Sequence, residues 1–176
     1  MQKPKLQVKS QKFLFPSNWE TTRLEDVVER MKAGGTPRRT IAEYWDGDIS
    51  FVKIEDISGA QKYLFATKER ITRLGLKNSS AWIIPKNSVL FSMYASIGEV
   101  AINKVPVATN QAILGIIPNK KTTSDYLFYC LKKFGNQLAA YNIQSTQKNI
   151  TLQIAKAFQV PLPSLPEQKK IVYILD

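Results

Sequence analysis

Three short apolar runs within residues 88–118 constrain the fold more than any other part of this sequence. The runs span residues 89–93, 100–102 and 112–117. They are rich in valine and isoleucine, and Pro118 ends the last one, which favours strands over helices. We therefore predict that these runs form the central strands of a β-sheet.

In and between these runs lie side chains that are uncharged but can form hydrogen bonds. They are Ser92, Tyr94, Ser96, Asn110 and Gln111. Either the sheet is a rigid frame that presents these groups to a partner, or it is an ordinary sheet with solvated edges. Gly98 indicates a tight turn or the close approach of another backbone or a ligand.

The segment before Gly34 and Gly35 follows the period of a helix. Thr22 and Glu25 have the spacing of a capping box, in which a hydroxyl and a carboxylate bond the free backbone donors of the first turn. Apolar residues then recur at intervals of three and four, at Leu24, Val27, Val28 and Met31. We predict a helix over residues 23–33 that the two glycines end.

Two further helices are predicted in the second half of the chain. The first is capped by Thr122 or Thr123, and its buried stripe is Leu127, Leu131, Phe134 and Leu138. The second begins at Pro166 and Glu167, which suit the free N–H groups of a first turn. Its apolar stripe is Ile171, Ile174 and Leu175. So short a helix is marginal alone, and we expect it to be the first part of a longer one.

Shorter extended segments complete the predicted fold. Alternating apolar residues favour a strand over 49–57, and further strands are expected near 69–72 and over 81–84. Residues 158–163 are extended, because residues that precede proline avoid the α region. For a chain of 176 residues these elements predict one α+β domain, with a mixed or antiparallel sheet core and flanking helices.

The distribution of charge favours a polyanionic partner. The net charge is +11, from 25 lysines and arginines against 14 acids. Between residues 100 and 166 the only acid is Asp125, whereas the same stretch holds seven lysines. Phosphates are not repelled by such a stretch, although basic proteins without a polyanionic partner also exist. A membrane surface is less well supported, because no strongly basic amphipathic helix is present.

Several residue types and motifs are absent, and this limits the chemistry. The chain has no histidine and one cysteine, which excludes Ser-His and Cys-His mechanisms and a cysteine-based zinc site. Neither a P-loop nor a dinucleotide-binding motif occurs, and we predict no cofactor and no metal site. Cys130 is expected to be a buried structural thiol. A lone cysteine and the lack of a signal peptide favour the cytoplasm.

Two polar segments are candidates for contacts with DNA. Thr36, Arg38 and Arg39 follow the paired glycines, where the arginines can grip phosphate or reach a guanine edge. The segment from Gln144 to Lys148 combines amide, hydroxyl and ammonium groups that can read base edges. Both segments are also compatible with ordinary solvated loops. Lys53 and Glu55 share a face of the predicted strand, so they are candidates to pair with each other.

A series of motifs, read in order, extends over nearly the whole chain. It begins with Trp19 and Leu24, followed by Gly34-Gly35-Thr36-Pro37 and the aromatic segment 43–49. It continues with Ser96-Ile97-Gly98 and Thr109-Asn110-Gln111-Ala112. It closes with residues 145–150 and with the segment 161–169. In this order the series resembles the specificity subunit of type I restriction-modification enzymes.

The resemblance implies a non-catalytic protein that recognises one half of a bipartite site in double-stranded DNA. Its implied partners are methylation and restriction subunits, with a second specificity half or a second copy joined through the C-terminal helix. Methyl transfer and ATP-driven cleavage would belong to those other subunits. The implied organisation is a target-recognition domain over residues 1–163 and the start of a conserved spacer helix over residues 164–176.

On this basis we predict which side chains contact DNA. They are Thr36, Arg38, Arg39, Lys53, Lys62, Ser92, Tyr94, Gln144, Ser145, Thr146, Gln147 and Lys148. Arg38 or Arg39 is the expected guanine reader, and Gln144 or Gln147 the expected adenine reader. Lys62 and Lys148 are expected on phosphates. Gly98 and Asn110 are expected to shape the core, and Ile171, Ile174 and Leu175 to contact a partner helix.

Three other functions are weighed against this one. Glu167-Gln168-Lys169 has the Glu-x-Lys spacing of metal-dependent nucleases, but it falls in a predicted helix rather than on a strand beside an aspartate. A module that binds a DNA methyltransferase without reading bases would show no sequence preference among duplexes. The domain would also suit the recognition part of a fused restriction enzyme.

Overall fold

The computed structural model of this chain describes residues 19–94, 97–142 and 150–176, except for the side chains of residues 136–142. Within those ranges the fold is α+β, as predicted. The strands are β1 (Glu20–Arg23), β2 (Val28–Ala33), β3 (Trp45–Val52), β4 (Tyr63–Leu64), β5 (Glu69–Ile71), β6 (Val89–Ser92), β7 (Val100–Asn103), β8 (Val107–Thr109), β9 (Ile113–Pro118) and β10 (Gln159–Leu162). The α-helices are α1 (Ile54–Gly59), α2 (Arg73–Lys77), α3 (Ser124–Asn142), α4 (Leu152–Lys156) and α5 (Leu165–Leu175).

A five-stranded sheet in the order β2-β9-β6-β7-β4 forms the centre of the molecule. The predicted strands are confirmed as its three middle members, β9, β6 and β7. Their residues alternate between two cores: Val89 and Phe91 pack under α3, whereas Leu90 faces Val52 and Val107 on the other side. All residues of β6 and β7 are buried, because both faces of the sheet are covered. Such double coverage explains why these runs are almost continuously apolar.

Two smaller sheets flank this centre. One has the order β5-β3-β8, with β3 antiparallel to β5 and parallel to β8. Phe51, Ile71 and Ala108 form its own small core. The other pairs β1 with β10, which confirms that the chain is extended before Pro163. The strand expected near residues 69–72 is confirmed as β5, whereas β8 was not predicted.

The predicted helix over residues 23–33 is wrong. Leu24–Val27 form one turn of 3-10 helix, and Val28–Ala33 form strand β2 along the edge of β9. The spacing of Leu24 and Val27 did reflect burial, since both lie in the core. Beyond that turn, however, the backbone of β9 provides hydrogen-bond partners that a helix would have left unused, and this pairing overrides the helical pattern.

The predicted strand over residues 49–57 is also too long. It ends at Val52, and α1 follows at once. The Asp56 carboxylate accepts a hydrogen bond of 2.8 Å from the backbone N–H of Lys53, which caps α1 at its first turn. Asp56 also accepts a bond of 3.2 Å from the backbone N–H of Lys68. One carboxylate therefore fixes both the end of β3 and the approach to β5.

Helix α3 crosses one face of the central sheet, and its predicted cap and stripe are confirmed where the structure describes them. The Thr123 hydroxyl accepts a bond of 3.2 Å from the backbone N–H of Tyr126, and Leu127 and Leu131 are buried. Cys130 is packed beside this stripe, and burial raises the pKa of its thiol to about 12. A thiol with so high a pKa stays protonated near neutral pH and is a poor nucleophile.

The predicted C-terminal helix is confirmed as α5, and one buried amide holds it in place. Gln168 donates bonds of 2.9 Å to the carbonyl of Lys121 and 3.0 Å to that of Pro163. Its side-chain oxygen accepts bonds of 3.1 and 3.2 Å from Thr122 and from the backbone of Thr123. The start of α5 is therefore bound to the start of α3. Among the described residues, no helix has both the length and the apolar character needed to cross a bilayer.

A backbone contact between two glycines sets the distance between α3 and the sheet. Gly98 has a φ of +91°, and a Cβ added there would lie 2.5 Å from the Cα of Gly135. A Cβ added to Gly135 would lie 2.2 Å from the Cα of Gly98. These separations leave no room for a side chain on either residue, which confirms that Gly98 allows a close approach.

We predict that Gly135→Ala destabilises the fold by about 1–3 kcal/mol or more, because the added methyl group forces α3 away from the sheet. Alanine would otherwise stabilise a helix interior by about 1 kcal/mol relative to glycine. Urea unfolding followed by circular dichroism measures the difference. Gly59→Ala is the matched control, since a Cβ there meets nothing within 4 Å. Equal stability of the two variants would contradict the contact.

Candidate nucleic-acid interface

Strand pairing gathers the candidate contacts at one end of the central sheet. The antiparallel register places Ala33 of β2, Ile113 of β9, Ser92 of β6 and Val100 of β7 at the same end. The parallel pairing of β3 with β8 brings the end of β3 beside Thr109. We call this region the loop end; its described residues are 34–39, 53–55, 68–69, 93–94, 97–99 and 110–112.

Two of the motif segments meet at the loop end. The backbone N–H of Gly35 donates a bond of 2.9 Å to the carbonyl of Thr109, and Gly34 leaves no space for a side chain against the same residue. This contact projects Thr36 outward, where its hydroxyl donates a bond of 2.8 Å to the Gln111 side chain. Thr36 and Gln111 are both exposed. An exposed hydroxyl and amide held in this way can exchange hydrogen bonds with a base edge.

A cluster of ion pairs also lies at the loop end. One carboxylate oxygen of Glu69 lies 2.7 Å from the guanidinium of Arg39, and the other lies 2.7 Å from the ammonium group of Lys53. Lys53 also lies 2.7 Å from Glu55, which confirms the pairing that their spacing suggested, and Lys68 lies 3.3 Å from Glu55. Burial alone would raise the pKa of Glu69, but the bonds from Lys53 and Arg39 lower it. Hydrogen bonds to Glu55 and Glu69 raise the pKa of Lys53.

The arginines differ in how they are held. The Arg39 guanidinium lies 3.7 Å from the ring centre of Trp45, and Trp45 itself packs edge-on against buried Phe51 at 5.4 Å. The indole N–H of Trp45 donates to the carbonyl of Arg38 at 3.3 Å. The guanidinium of Arg38 is exposed and forms no ion pair with any residue that the structure describes. Arg38 is therefore held by its backbone, with its charge available to a ligand.

Tyr94 lies at the loop end and is 37% exposed. The preceding residue, Met93, donates to the carbonyl of Ala112 at 2.8 Å and accepts from the backbone N–H of Ile150 at 3.0 Å. Ile150 directly follows the segment that holds the predicted contacts Gln144, Ser145, Thr146, Gln147 and Lys148. Those contacts lie outside the described residues.

Ser92 does not fit its predicted contact with DNA. Its side chain is fully buried, and its hydroxyl donates a bond of 3.0 Å to the carbonyl of Tyr94. The hydroxyl shapes the turn that carries Tyr94 and does not point outward. The predicted outward position assumed a sheet with one exposed face, on which alternate side chains point to solvent. Ser92 instead ends a strand that is covered on both faces.

Lys62 does not fit its predicted phosphate contact either. Its ammonium group lies 3.1 Å from Asp125 and also contacts the carboxylate of Asp176. The hydroxyls of Tyr63 and Tyr129 donate bonds of 2.6 Å to Asp125 and Asp176, respectively. The lysine side chain is only 12% exposed, near the start of α3 and away from the loop end. It is thus an internal cation that joins the central sheet to α3 and to the end of α5.

The described residues hold no group of three or more side chains suited to bind a metal ion. Glu167 of the nuclease-like motif caps α5 instead, accepting a bond of 3.0 Å from the backbone N–H of Ser164. A largely apolar cavity of about 190 Å³ lies between α3, β10 and α5 and is lined by Tyr129, Phe134 and Ile171 among others.

Sequence reasoning missed several residues at the loop end or in contact with it. Trp45 was noted only as part of an aromatic turn, and Glu69 only as the start of a strand. Glu69 is distant from Arg39 in sequence, so their contact depends on the pairing of β3 with β5, whereas Trp45 follows Arg39 by about six residues. Gln111 carried a usable signal, because an amide lay in the polar segment between two predicted strands.

Comparisons with known proteins give one consistent result. The family described as "Type I restriction modification DNA specificity domain" matches residues 16–176. The chain is 34% identical over 165 residues to the type I restriction enzyme MjaIX specificity subunit of Methanocaldococcus jannaschii, covering 92% of this chain and 38% of that protein. It is 28% identical over 166 residues to the HindI specificity subunit of Haemophilus influenzae, covering 92% and 34%.

Solved structures show the same fold. The HsdS subunit from Thermoanaerobacter tengcongensis matches with a TM-score of 0.69 at 22% identity, over 92% of this chain and 37% of that one. A chain from a structure on assembly and conformational transition of the type I R-M system matches with a TM-score of 0.72 at 21% identity, over 95% and 40%. The chain thus spans less than half the length of the proteins that it matches.

We predict that Lys62→Met lowers the free energy of unfolding by about 1–3 kcal/mol, because it leaves two carboxylates without their shared cation. Hydrogen bonds from Lys62 and Tyr129 lower the pKa of Asp176. Burial alone would raise the pKa of Asp125, but Tyr63 and Lys62 lower it. The stabilisation from these ion pairs is therefore present above pH 3.8, the ordinary pKa of the carboxyl group. It is lost as the pH falls through the lowered pKa values of Asp125 and Asp176.

Urea unfolding of both proteins at several pH values tests this prediction. Burial alone would lower the pKa of Lys62, but its partners raise it above 10.5, so its contribution persists across the neutral and mildly alkaline range. The difference between wild type and variant should shrink as the pH falls below 3.8. Lys86→Met, at an exposed lysine, is the control. A pH-independent difference would contradict the ion-pair explanation.

Proposed function

Because the chain belongs to the type I restriction modification DNA specificity family, we propose that it recognises one half of a bipartite site in double-stranded DNA. The observation that most directly supports this proposal is the loop end. There, exposed cationic, hydroxyl and amide side chains lie at the edge of a sheet that is buried on both faces. A rigid frame suits base recognition, because a reader loses affinity if its side chains must be ordered on binding.

Within this proposal, the loop end enters the major groove. Thr36 with Gln111, and Tyr94, are placed to exchange hydrogen bonds with base edges, which differ for each base pair in that groove. Arg38 is the best candidate to reach guanine, because its charge is unpaired within the described residues. Arg39 and Lys53 would then contact phosphates. The segment from Gln144 to Lys148 remains part of the proposed interface.

The proposed partners follow from the relatives, which are specificity subunits of type I restriction enzymes. We propose that methylation and restriction subunits supply the chemistry and that this chain performs none, acting in the cytoplasm. The division into a recognition domain (1–163) and the start of a spacer helix (164–176) is part of the same proposal. Ile174 is 78% and Leu175 52% exposed at the end of α5, as a surface for a partner helix requires, whereas Ile171 packs partly on the core.

The alternatives are a module that binds a methyltransferase without reading bases and the recognition part of a fused restriction enzyme. The test is selection of bound duplexes from a random DNA pool, using this chain. A reader should enrich one short sequence, and each wrong base pair in it should weaken binding by about 1–3 kcal/mol. Absence of enrichment at moderate salt would contradict base reading.

We predict that Arg38→Ala weakens binding and relaxes the preference at one base position, by about 1–3 kcal/mol. Arg39→Ala should weaken binding to the selected duplex without relaxing the preference at any base position, and should reduce the salt slope on that duplex by about one unit, as expected for a phosphate contact. Arg23→Ala is the matched control. Its side chain is 53% exposed and paired with Glu25 at 2.7 Å, whereas Arg39 is 52% exposed and paired with Glu69 at 2.7 Å.

Fluorescence anisotropy with a selected duplex and a random duplex measures both effects. Unchanged affinity in both variants would remove this loop from the interface. If Arg38→Ala weakened all sequences alike, the assignment of the base reader would be wrong.

A further inference from the structure

One carboxylate at the loop end has a position that the proposed contacts do not explain. Glu69 lies between Arg39 and Lys53, with one oxygen 2.7 Å from each cation. A polyanion brought to this surface therefore meets two cations that are already neutralised in part. An acid in the middle of a DNA-binding surface weakens the attraction of phosphate. Its presence there therefore calls for a role of its own.

The backbone holds Glu69 firmly in this place. The residue begins β5 opposite Phe51, and its carbonyl accepts a bond of 2.8 Å from the Thr67 hydroxyl. Its side chain is 26% exposed, compared with 52% for Arg39 and 31% for Lys53. The Glu69 carboxylate is thus the least exposed of these three groups. Arg39 and Lys53 are the side chains that can turn outward.

We infer that Glu69 is a specificity-determining residue, which retains Arg39 and Lys53 unless correct base contacts have been made. The inference rests on the proposed function, because it assigns Glu69 a part in the same interface. Ion pairs of this exposure are individually weak, so a complex with matching base contacts can release both cations to phosphate. A random duplex lacks those contacts and cannot compensate for breaking two pairs. Glu69 therefore weakens non-specific binding more than specific binding.

The test compares Glu69→Gln with wild type on a selected duplex and on a random duplex over a range of salt concentrations. Each cation freed for phosphate steepens the salt slope by about 0.9 units. Lys53 keeps its pair with Glu55 at 2.7 Å in this variant, so mainly Arg39 is freed and the slope on the random duplex should steepen by about one unit. At low salt the affinity for that duplex should rise about tenfold or more. The ratio of specific to non-specific affinity should fall.

Glu25→Gln is the matched control for the change in net charge. Glu25 is paired with Arg23 at 2.7 Å, with 31% of its side chain exposed, and lies before β2 at the opposite end of the sheet. An equal effect of the two variants on the random duplex would overturn the inference. So would a loss of preference at one position of the selected duplex with random binding unchanged, since Glu69 would then read a base directly.

A second pair of variants tests whether the effect of Glu69→Gln on non-specific binding depends on Arg39. Glu69→Gln should raise non-specific affinity less in an Arg39→Ala background, because one of the two retained cations is already gone. An undiminished rise in that background would overturn the inference, even if thermal unfolding showed a loosened fold in the single variant. Failure of the wild-type chain to bind either duplex is a separate result, and it would overturn the proposed function together with this inference.

Discussion

Hydrogen bonds between paired strands fix the positions of the candidate contacts that the structure describes at the loop end. Residues on neighbouring strands must meet in register, so the end of β2, the start of β9, the end of β6 and the start of β7 come together. A slip of one residue would turn Phe91 out of its core and Leu90 into it, and both are completely buried. Packing on both faces thus fixes the register, and the register fixes which loops share the loop end.

Much of this framework could be predicted from the sequence, because burial leaves a direct pattern in it. The apolar runs of β6, β7 and β9, the stripe of α3 and the capping residues of α5 each depend on neighbours in the chain. The region before Gly34 could not be predicted in the same way. The same apolar spacing suits a helix or a turn followed by a strand, and the free edge of β9 decides between them. Only a long-range contact resolves such local ambiguity.

The candidate interface was harder to predict than the frame, because its charges are paired across strands. The net charge of +11 suggests a broadly attractive surface. In the fold, Lys62 is enclosed by Asp125 and Asp176, and Arg39 and Lys53 share Glu69. Arg38 alone keeps the exposed, unpaired charge among the described members of the predicted set. The number of cations in a sequence is therefore a poor guide to the number that a ligand can reach.

The contact between Gly98 and Gly135 has a consequence for how such a protein changes over generations. Because backbone alone makes this contact, it demands no complementary side chain from the loops on either side. Substitutions in those loops can accumulate while α3 and the sheet keep their separation and the core keeps its packing. Under the proposed function, new base preferences can thus arise by exchange of a few exposed residues, without a compensating change in the interior, provided that both glycines persist.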